Sequence, residues 1–279
     1  MRWEGRQGSG NVEDRRGMGG PIAVGGGIIG IIALLINLFT GGEVDTSQIG
    51  LPNQGAPMTE EQKAAQDREA KFVGVVLKDT EDIWSKIFSE MGKSYPAPTL
   101  VLFSGATQSG CGNASAATGP FYCPADQKLY VDLSFAEDLR NRFGVDGEFA
   151  MAYVVAHEVG HHIQTLMGIS DRMANLRQRM SEEEYNKYSV KMELQADFLA
   201  GVFAHYERGK GYLEEGDIES ALTAANAIGD DRLQKQSQGY VVPESFTHGT
   251  SAQRMYWFKK GFETGDINQG NTFNDPSLN

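Results

Sequence analysis

Two imidazoles four residues apart, His157 and His161, sit in the run Val154-Val155-Ala156-His157-Glu158-Val159-Gly160-His161-His162-Ile163. In an α-helix, positions i and i+4 lie on one face, so both rings point at one spot. Such a spot suits a metal, since imidazole nitrogen binds Zn2+ at about 2.0–2.1 Å. Glu158, one residue on, faces the adjacent side. From there it reaches a water activated by the metal, without ligating the metal itself, and takes that water's proton. The spacing alone arises by chance in unrelated chains, and the surroundings raise it above coincidence. Val154, Val155, Val159 and Ile163 make the helix apolar around the histidines. A buried, unpartnered carboxylate would be costly in a purely structural helix.

His-Glu-x-x-His is a metalloprotease signature, and a catalytic zinc needs a third protein ligand and one open position. A third His six residues after His161 is absent: position 167 is Met167, and Gln164 stands where that scheme has Gly. A carboxylate from a later helix is present. Lys191-Met192-Glu193-Leu194-Gln195-Ala196-Asp197 supplies Glu193, 32 residues after His161. Its neighbours Met192, Leu194, Ala196, Phe198 and Leu199 argue against an exposed helix acid. Asp197 lies one turn further on the same face. It is expected to accept a hydrogen bond from the second ring nitrogen of a zinc histidine, His157 by preference, and so fix its tautomer.

Around these two segments the chain reads as a mainly helical α+β domain with a small sheet. Phe72, Val75, Val76, Ile83, Ile87 and Phe88 recur at helical steps within 60–91. Residues 99–104 and 128–135 read as strands. In the second, Leu129, Val131 and Leu133 face one way and Tyr130 and Asp132 the other. Ser134 is a candidate cap for a short helix to Phe143, and Asp146 for a longer one over 147–167. Ser181 opens Ser-Glu-Glu-Glu, a capping-box pattern, for a helix to about Arg208. Two more helices are expected over 217–228 and 251–263. Cys111 and Cys123 bracket a Gly- and Pro-containing loop. A disulfide there would be worth about 3 kcal/mol by loop entropy in an oxidising compartment, with two free thiols the alternative.

Charge is unevenly spread. The net charge is −12 over 279 residues, and an acidic surface argues against nucleic acid as a partner. Residues 1–20 carry Arg2, Arg6, Arg15 and Arg16 against Glu4, Glu13 and Asp14. No charge then occurs before Glu43. Residues 22–39, IAVGGGIIGIIALLINLF, are apolar over about 27 Å of helix, close to a hydrocarbon core of about 30 Å. The stretch Phe39-Thr40-Gly41-Gly42 makes a poor signal cleavage site, which favours an uncleaved anchor. Four arginines precede the span and no basic residue follows it until Lys63. The positive-inside rule therefore predicts a single-pass cell-membrane protein with a cytoplasmic tail (1–21), a transmembrane helix (22–39), a flexible linker (40–58) and an extracytoplasmic domain (59–279), periplasmic or at the cell surface.

His-Glu-Val-Gly-His-His followed by Glu-Leu-Gln-Ala-Asp resembles the gluzincin class of zinc peptidases. More closely, the chain resembles the bacterial putative neutral zinc metallopeptidase family. The likeness includes Met1-Arg2-Trp3-Glu4-Gly5-Arg6, Asn11-Val12-Glu13-Asp14-Arg15-Arg16, Gly119 to Asp126 (GPFYCPAD) and Ser245 to Ser251 (SFTHGTS). It implies a zincin-like, membrane-anchored endopeptidase acting on a protein or peptide substrate. His157, His161 and Glu193 would be zinc ligands and Glu158 the catalytic residue. Thr247-His248, with Arg254 six residues later, is similar to a Thr-His-Pro…Arg element of some membrane-linked gluzincins, with Gly249 in place of Pro. That likeness implies a catalytic role for His248 as an oxyanion donor, against a plain helix-start histidine. His162 is expected to be structural, and His205, twelve residues beyond Glu193, lies too far along its helix to ligate. By analogy with zinc peptidases of this build, the strand before the zinc helix is expected to bind extended substrate by strand addition. A non-catalytic membrane-anchored scaffold with structural zinc is the alternative, and it has no need of Glu158. An intramembrane protease is excluded, because only eight mainly apolar residues, 149–156, precede His157.

Overall fold

The computed structural model describes residues 1–17, 59–145 and 147–278. Strand β1 (Val12–Asp14) comes first. Helix α1 (Glu60–Glu90) starts at a capping box in which Thr59 and Gln62 satisfy each other's backbone N–H groups. Its buried face carries Phe72, Val73, Val76, Ile83, Trp84, Ile87 and Phe88. Then follow β2 (Thr99–Phe103), the short hairpin β3 (Ala106–Ser109) and β4 (Gly112–Ser115), β5 (Phe121–Cys123) and β6 (Lys128–Asp132). The main sheet has the order β1-β2-β6-β5. Its first three strands are parallel and β5 runs antiparallel to β6.

The sheet is covered on both sides. Leu100, Leu102, Leu129 and Val131 enter the main core under the helices. Val101, Phe103, Tyr130 and Cys123 form a smaller cluster under Ala114 of the hairpin. Leu129 and Val131 thus face one way and Tyr130 the other, as alternation over 128–135 predicts, and Tyr130 is buried on its own side. A disulfide between Cys111 and Cys123 ties the hairpin tip to the end of β5.

The rest is helical: α2 (Ser134–Asn141), α3 (Phe149–Leu166), α4 (Ile169–Arg177), α5 (Glu182–Gly209), α6 (Asp217–Ala227), α7 (Asp230–Gln238) and α8 (Ser251–Thr264). Helix α5 opens with a Ser181–Glu184 capping box and α8 with a Thr250–Gln253 one. Two helices, α4 and α7, were not anticipated. Both are short and polar, so their periodicity is faint. Helix α3 is buried along most of its length, from Phe149 to Gln164 with only His161 partly open. Each large apolar side chain it buries contributes roughly 1.5–3 kcal/mol. Helices α5 and α8 cross at glycines: a Cβ on Gly201 would lie 2.0 Å from the Phe258 carbonyl oxygen, and one on Gly261 2.0 Å from that of Phe198.

The mainly helical α+β architecture stands, but the transmembrane helix and the single-pass placement do not. Among the described residues no helix is long and apolar enough to cross a membrane. The expected span, 22–39, lies outside the described residues. A single crossing there would put residues 1–17 and the zinc domain on opposite sides. Instead they form one body. Strand β1 pairs with β2, matching Val12 to Leu100 and Asp14 to Leu102. The Met1 ammonium lies 2.9 Å from Asp217 and 3.0 Å from Glu214, and the Trp3 indole N–H donates to Glu148 at 2.8 Å. The arginines that set the expected orientation are fold contacts: Arg6 pairs with Asp79, Arg15 with Glu13, and Arg16 with Asp14 and Asp67. Positive charge that reads as a topology signal is here neutralised inside the domain.

Candidate metal centre and cleft

Three elements build the site. Helix α3 presents His157, Glu158 and His161, and α5 presents Glu193 and Asp197. The loop before α8 brings His248. Helices α3 and α5 come close because Gly160 faces Ala196: a Cβ at Gly160 would lie 3.1 Å from the Ala196 backbone. That approach lets a carboxylate on one helix reach two imidazoles on the other.

One ligand atom each from His157, His161 and Glu193 lies within 4.8 Å of the others. His157 Nε2 is 3.2 Å from one Glu193 oxygen and His161 Nε2 is 3.4 Å from the other. The far ring nitrogens have other partners. His157 Nδ1 lies 2.9 Å from Asp197 Oδ1. His161 Nδ1 lies 2.8 Å from Gln164 Oε1. Gln164 donates through Nε2 to the Met192 carbonyl at 2.7 Å, so its oxygen is the atom facing His161. Each Nδ1–H thus has an acceptor, and each Nε2 points at a Glu193 oxygen. Two imidazole nitrogens and one carboxylate converging in this way fit a zinc ion, which would take the place of the Nε2 protons.

Asp197 is fully buried and shared by three partners. Tyr153 donates its hydroxyl to Oδ1 at 2.6 Å. Arg254 clamps both oxygens, at 2.9 Å through Nε and 3.0 Å through Nη2. Burial works to raise the Asp197 pKa, but Arg254 and His157 outweigh it and hold it at about 2. Glu193 is likewise opposed by burial and held well below the usual range by His161 and His157. Burial pushes Glu158 upward, with the two histidines opposing. The Tyr122 backbone N–H donates to Glu158, so β5 fixes the carboxylate beside the ligand cluster.

His248 sits at the rim, its side chain half exposed. Asp230 accepts the backbone N–H groups of Thr247, His248 and Gly249, and lies 3.2 Å from His248 Nδ1. His162 is buried away from the cluster, between Tyr122 and the Pro96 carbonyl. His205 bonds the Phe262 carbonyl through Nδ1, on a distant stretch of α5. Sequence reasoning missed Tyr153, Gln164, Asp230 and Tyr122. The spacing of Tyr153, four before His157, and Gln164, three after His161, was the available signal, since both share the ligand face.

The cluster opens into a cleft of about 680 Å3. Phe121, Tyr122, Phe135, Phe143, Val154 and Leu233 give it apolar walls. One wall is β5, whose far side pairs with β6; β6, the strand expected to take substrate by strand addition, is paired on both sides, with β2 and β5, and offers no edge.

A His/Glu cluster that could hold a metal ion, on an α+β scaffold, is thus what fold and site present. Residues 1–273 match the family model described as putative neutral zinc metallopeptidase, and the chain belongs to that family. It is 49% identical to "Uncharacterized protein YpfJ" of Escherichia coli (strain K12), over 98% of this chain and 99% of that one. It is 38% identical to "Uncharacterized protein Rv2575" of Mycobacterium tuberculosis (strain H37Rv), over 88% of this chain and 86% of that one. No solved structure matches it.

Proposed function

We propose that the protein is a zinc-dependent endopeptidase. The observation that carries this is the convergence of His157 Nε2, His161 Nε2 and a Glu193 oxygen, with the outer nitrogens engaged and a separate carboxylate, Glu158, held beside them. A structural site needs the first three and has no use for the fourth. When bound, zinc supplies Lewis acidity, polarising a carbonyl and bringing the pKa of water toward about 7.

The chain's own groups do the rest. Glu158, oriented by the Tyr122 N–H, takes a proton from water and later passes it to the leaving amine. The raised pKa of Glu158 suits a group that must hold that proton between steps. His248 lines the cleft with its Nδ1 held by Asp230, which leaves Nε2 to act as donor. There it donates to the oxygen that gains charge in the transition state. The free edge of β5 pairs with an extended peptide through backbone groups, which fits cleavage within a chain. The aromatic walls exclude water and hold apolar side chains of the substrate.

The test is expression of the full chain, measurement of bound zinc, and cleavage of an unfolded protein substrate beside Glu158→Gln. The variant should keep about one zinc per chain and lose cleavage by about 10^2-fold or more. Equal cleavage by both forms, or no zinc in either, rejects the reading.

A further inference from the structure

We propose that Arg142 is a carboxylate-reading residue of the cleft, selecting peptides that carry an acidic group beside an apolar residue. This rests on the peptidase reading above and narrows its substrate class. Arg142 follows α2 and lines the cleft with Phe135 and Phe143. Its side chain is 24% exposed, so water covers only a minor part of it. Its ion-pair partner among the described residues is Asp138, one helical turn back and 3.8 Å from Nη1, beyond hydrogen-bond length. Among the described residues its guanidinium makes no hydrogen bond. The Phe143 ring lies 5.4 Å from the guanidinium carbon and can steady its plane while leaving the N–H edge free.

Other cations on the cleft wall are held by hydrogen bonds, which Arg142 is not. Arg254 gives its guanidinium to Asp197, Tyr153 and the Ile228 carbonyl, and His248 is tied to Asp230. A partly covered arginine whose guanidinium donates no hydrogen bond is a site for a planar acceptor, and a carboxylate matches its fork with two parallel hydrogen bonds. The whole chain carries −12, so long-range attraction does not bring an acidic peptide here. Selection for one must come from a local cation, and Arg142 is placed to supply it. The carboxylate has two sources, an Asp or Glu side chain or the peptide's own C-terminus.

Three fluorogenic peptides with one apolar core separate them: one with a Glu and an amidated end, one neutral with a free C-terminus, one neutral and amidated. With zinc-loaded protein, kcat/KM for one carboxylate peptide should exceed that of the neutral amide by about 10-fold or more. The favoured peptide names the source. In Arg142→Gln the ratio should fall to near 1, mainly through KM, and Arg142→Lys should restore part of it. A wild-type ratio near 1, or a ratio unchanged in Arg142→Gln, overturns the assignment while leaving peptidase activity intact. If no peptide is cleaved, the peptidase reading falls separately. Fluorescence anisotropy of the same peptides on zinc-loaded Glu158→Gln protein then decides on Arg142. Tighter binding of a carboxylate peptide, lost in the added Arg142→Gln, supports it; equal or absent binding overturns it.

Discussion

His162 Nδ1 lies 3.1 Å from the Tyr122 hydroxyl, while its Nε2 lies 2.7 Å from the Pro96 carbonyl. The carbonyl can only accept, so Nε2 carries the proton and Tyr122 donates to Nδ1. Burial lowers the His162 pKa, which keeps this neutral tautomer in place. The third histidine of His-Glu-x-x-His-His therefore fastens β5 to the zinc helix, and β5 in turn orients Glu158. His162→Ala should cost about 2–4 kcal/mol of stability through the lost packing and orphaned partners. Cleavage should fall with zinc content unchanged. Thermal melts, metal analysis and kcat on one preparation check this; loss of zinc would make His162 a ligand instead.

Asp197 orients His157, and its charge is matched by Arg254 in a fully buried setting. Asp197→Asn keeps the shape but removes the charge and leaves Arg254 poorly paired. Zinc affinity should fall by about 10- to 100-fold, and stability by about 3–5 kcal/mol. Competition with a chromogenic chelator measures the first and denaturant unfolding the second. Arg254→Lys should be intermediate, since it restores charge without the two-pronged contact.

The ligand face was legible because helical spacing alone aligns His157 with His161, and Glu193 with Asp197. What aligns the two helices was not. Gly160 reads as an unremarkable filler of the motif until its contact with Ala196 is seen. Strands of three or four residues, such as β1 and β5, carry too little alternation to stand out from loops. The sharpest failure concerns charge. Arg6, Arg15 and Arg16 form a topology signal only if they face water and lipid. Of their acidic partners, Glu13 and Asp14 are two residues away, but Asp79 and Asp67 are 73 and 51 residues away, and linear inspection cannot pair those.

Under the N-terminal segment, Asp79 and Glu207 are buried together, with Arg6 on the first and Lys210 on the second. One oxygen of each, Oδ2 and Oε2, has no hydrogen-bond partner among the described residues. Burial, then the Asp79 charge, pushes the Glu207 pKa from 4.5 to about 7. A carboxyl with a higher pKa in the fold binds more protons folded than unfolded. Its contribution is therefore full below pH 4.5, falls as pH rises toward about 7, and then levels off, by on the order of 3 kcal/mol in all. Glu207→Gln removes that loss and keeps an acceptor for Lys210. The variant should melt several degrees above wild type at pH 8 and close to it at pH 5. An equal difference at both values would remove Glu207 as the cause.

Gly201 and Gly261 let α5 and α8 touch backbone to backbone, each where the other helix's carbonyl would meet a Cβ at 2.0 Å. No side chain can yield there, so the helices must part. Gly201→Ala should cost about 3 kcal/mol, which for a domain of this size lowers Tm by about 6–12 °C. Parting the helices also moves Arg254, which α8 carries to Asp197, so zinc affinity should drop although residue 201 touches no ligand. Gly261→Ala should behave alike. Once the helices have moved for the first methyl, the second meets a wider gap, so the double variant should cost clearly less than the sum of the singles. Additive losses in a double-mutant cycle would mean the two contacts are independent and the crossing does not move as one.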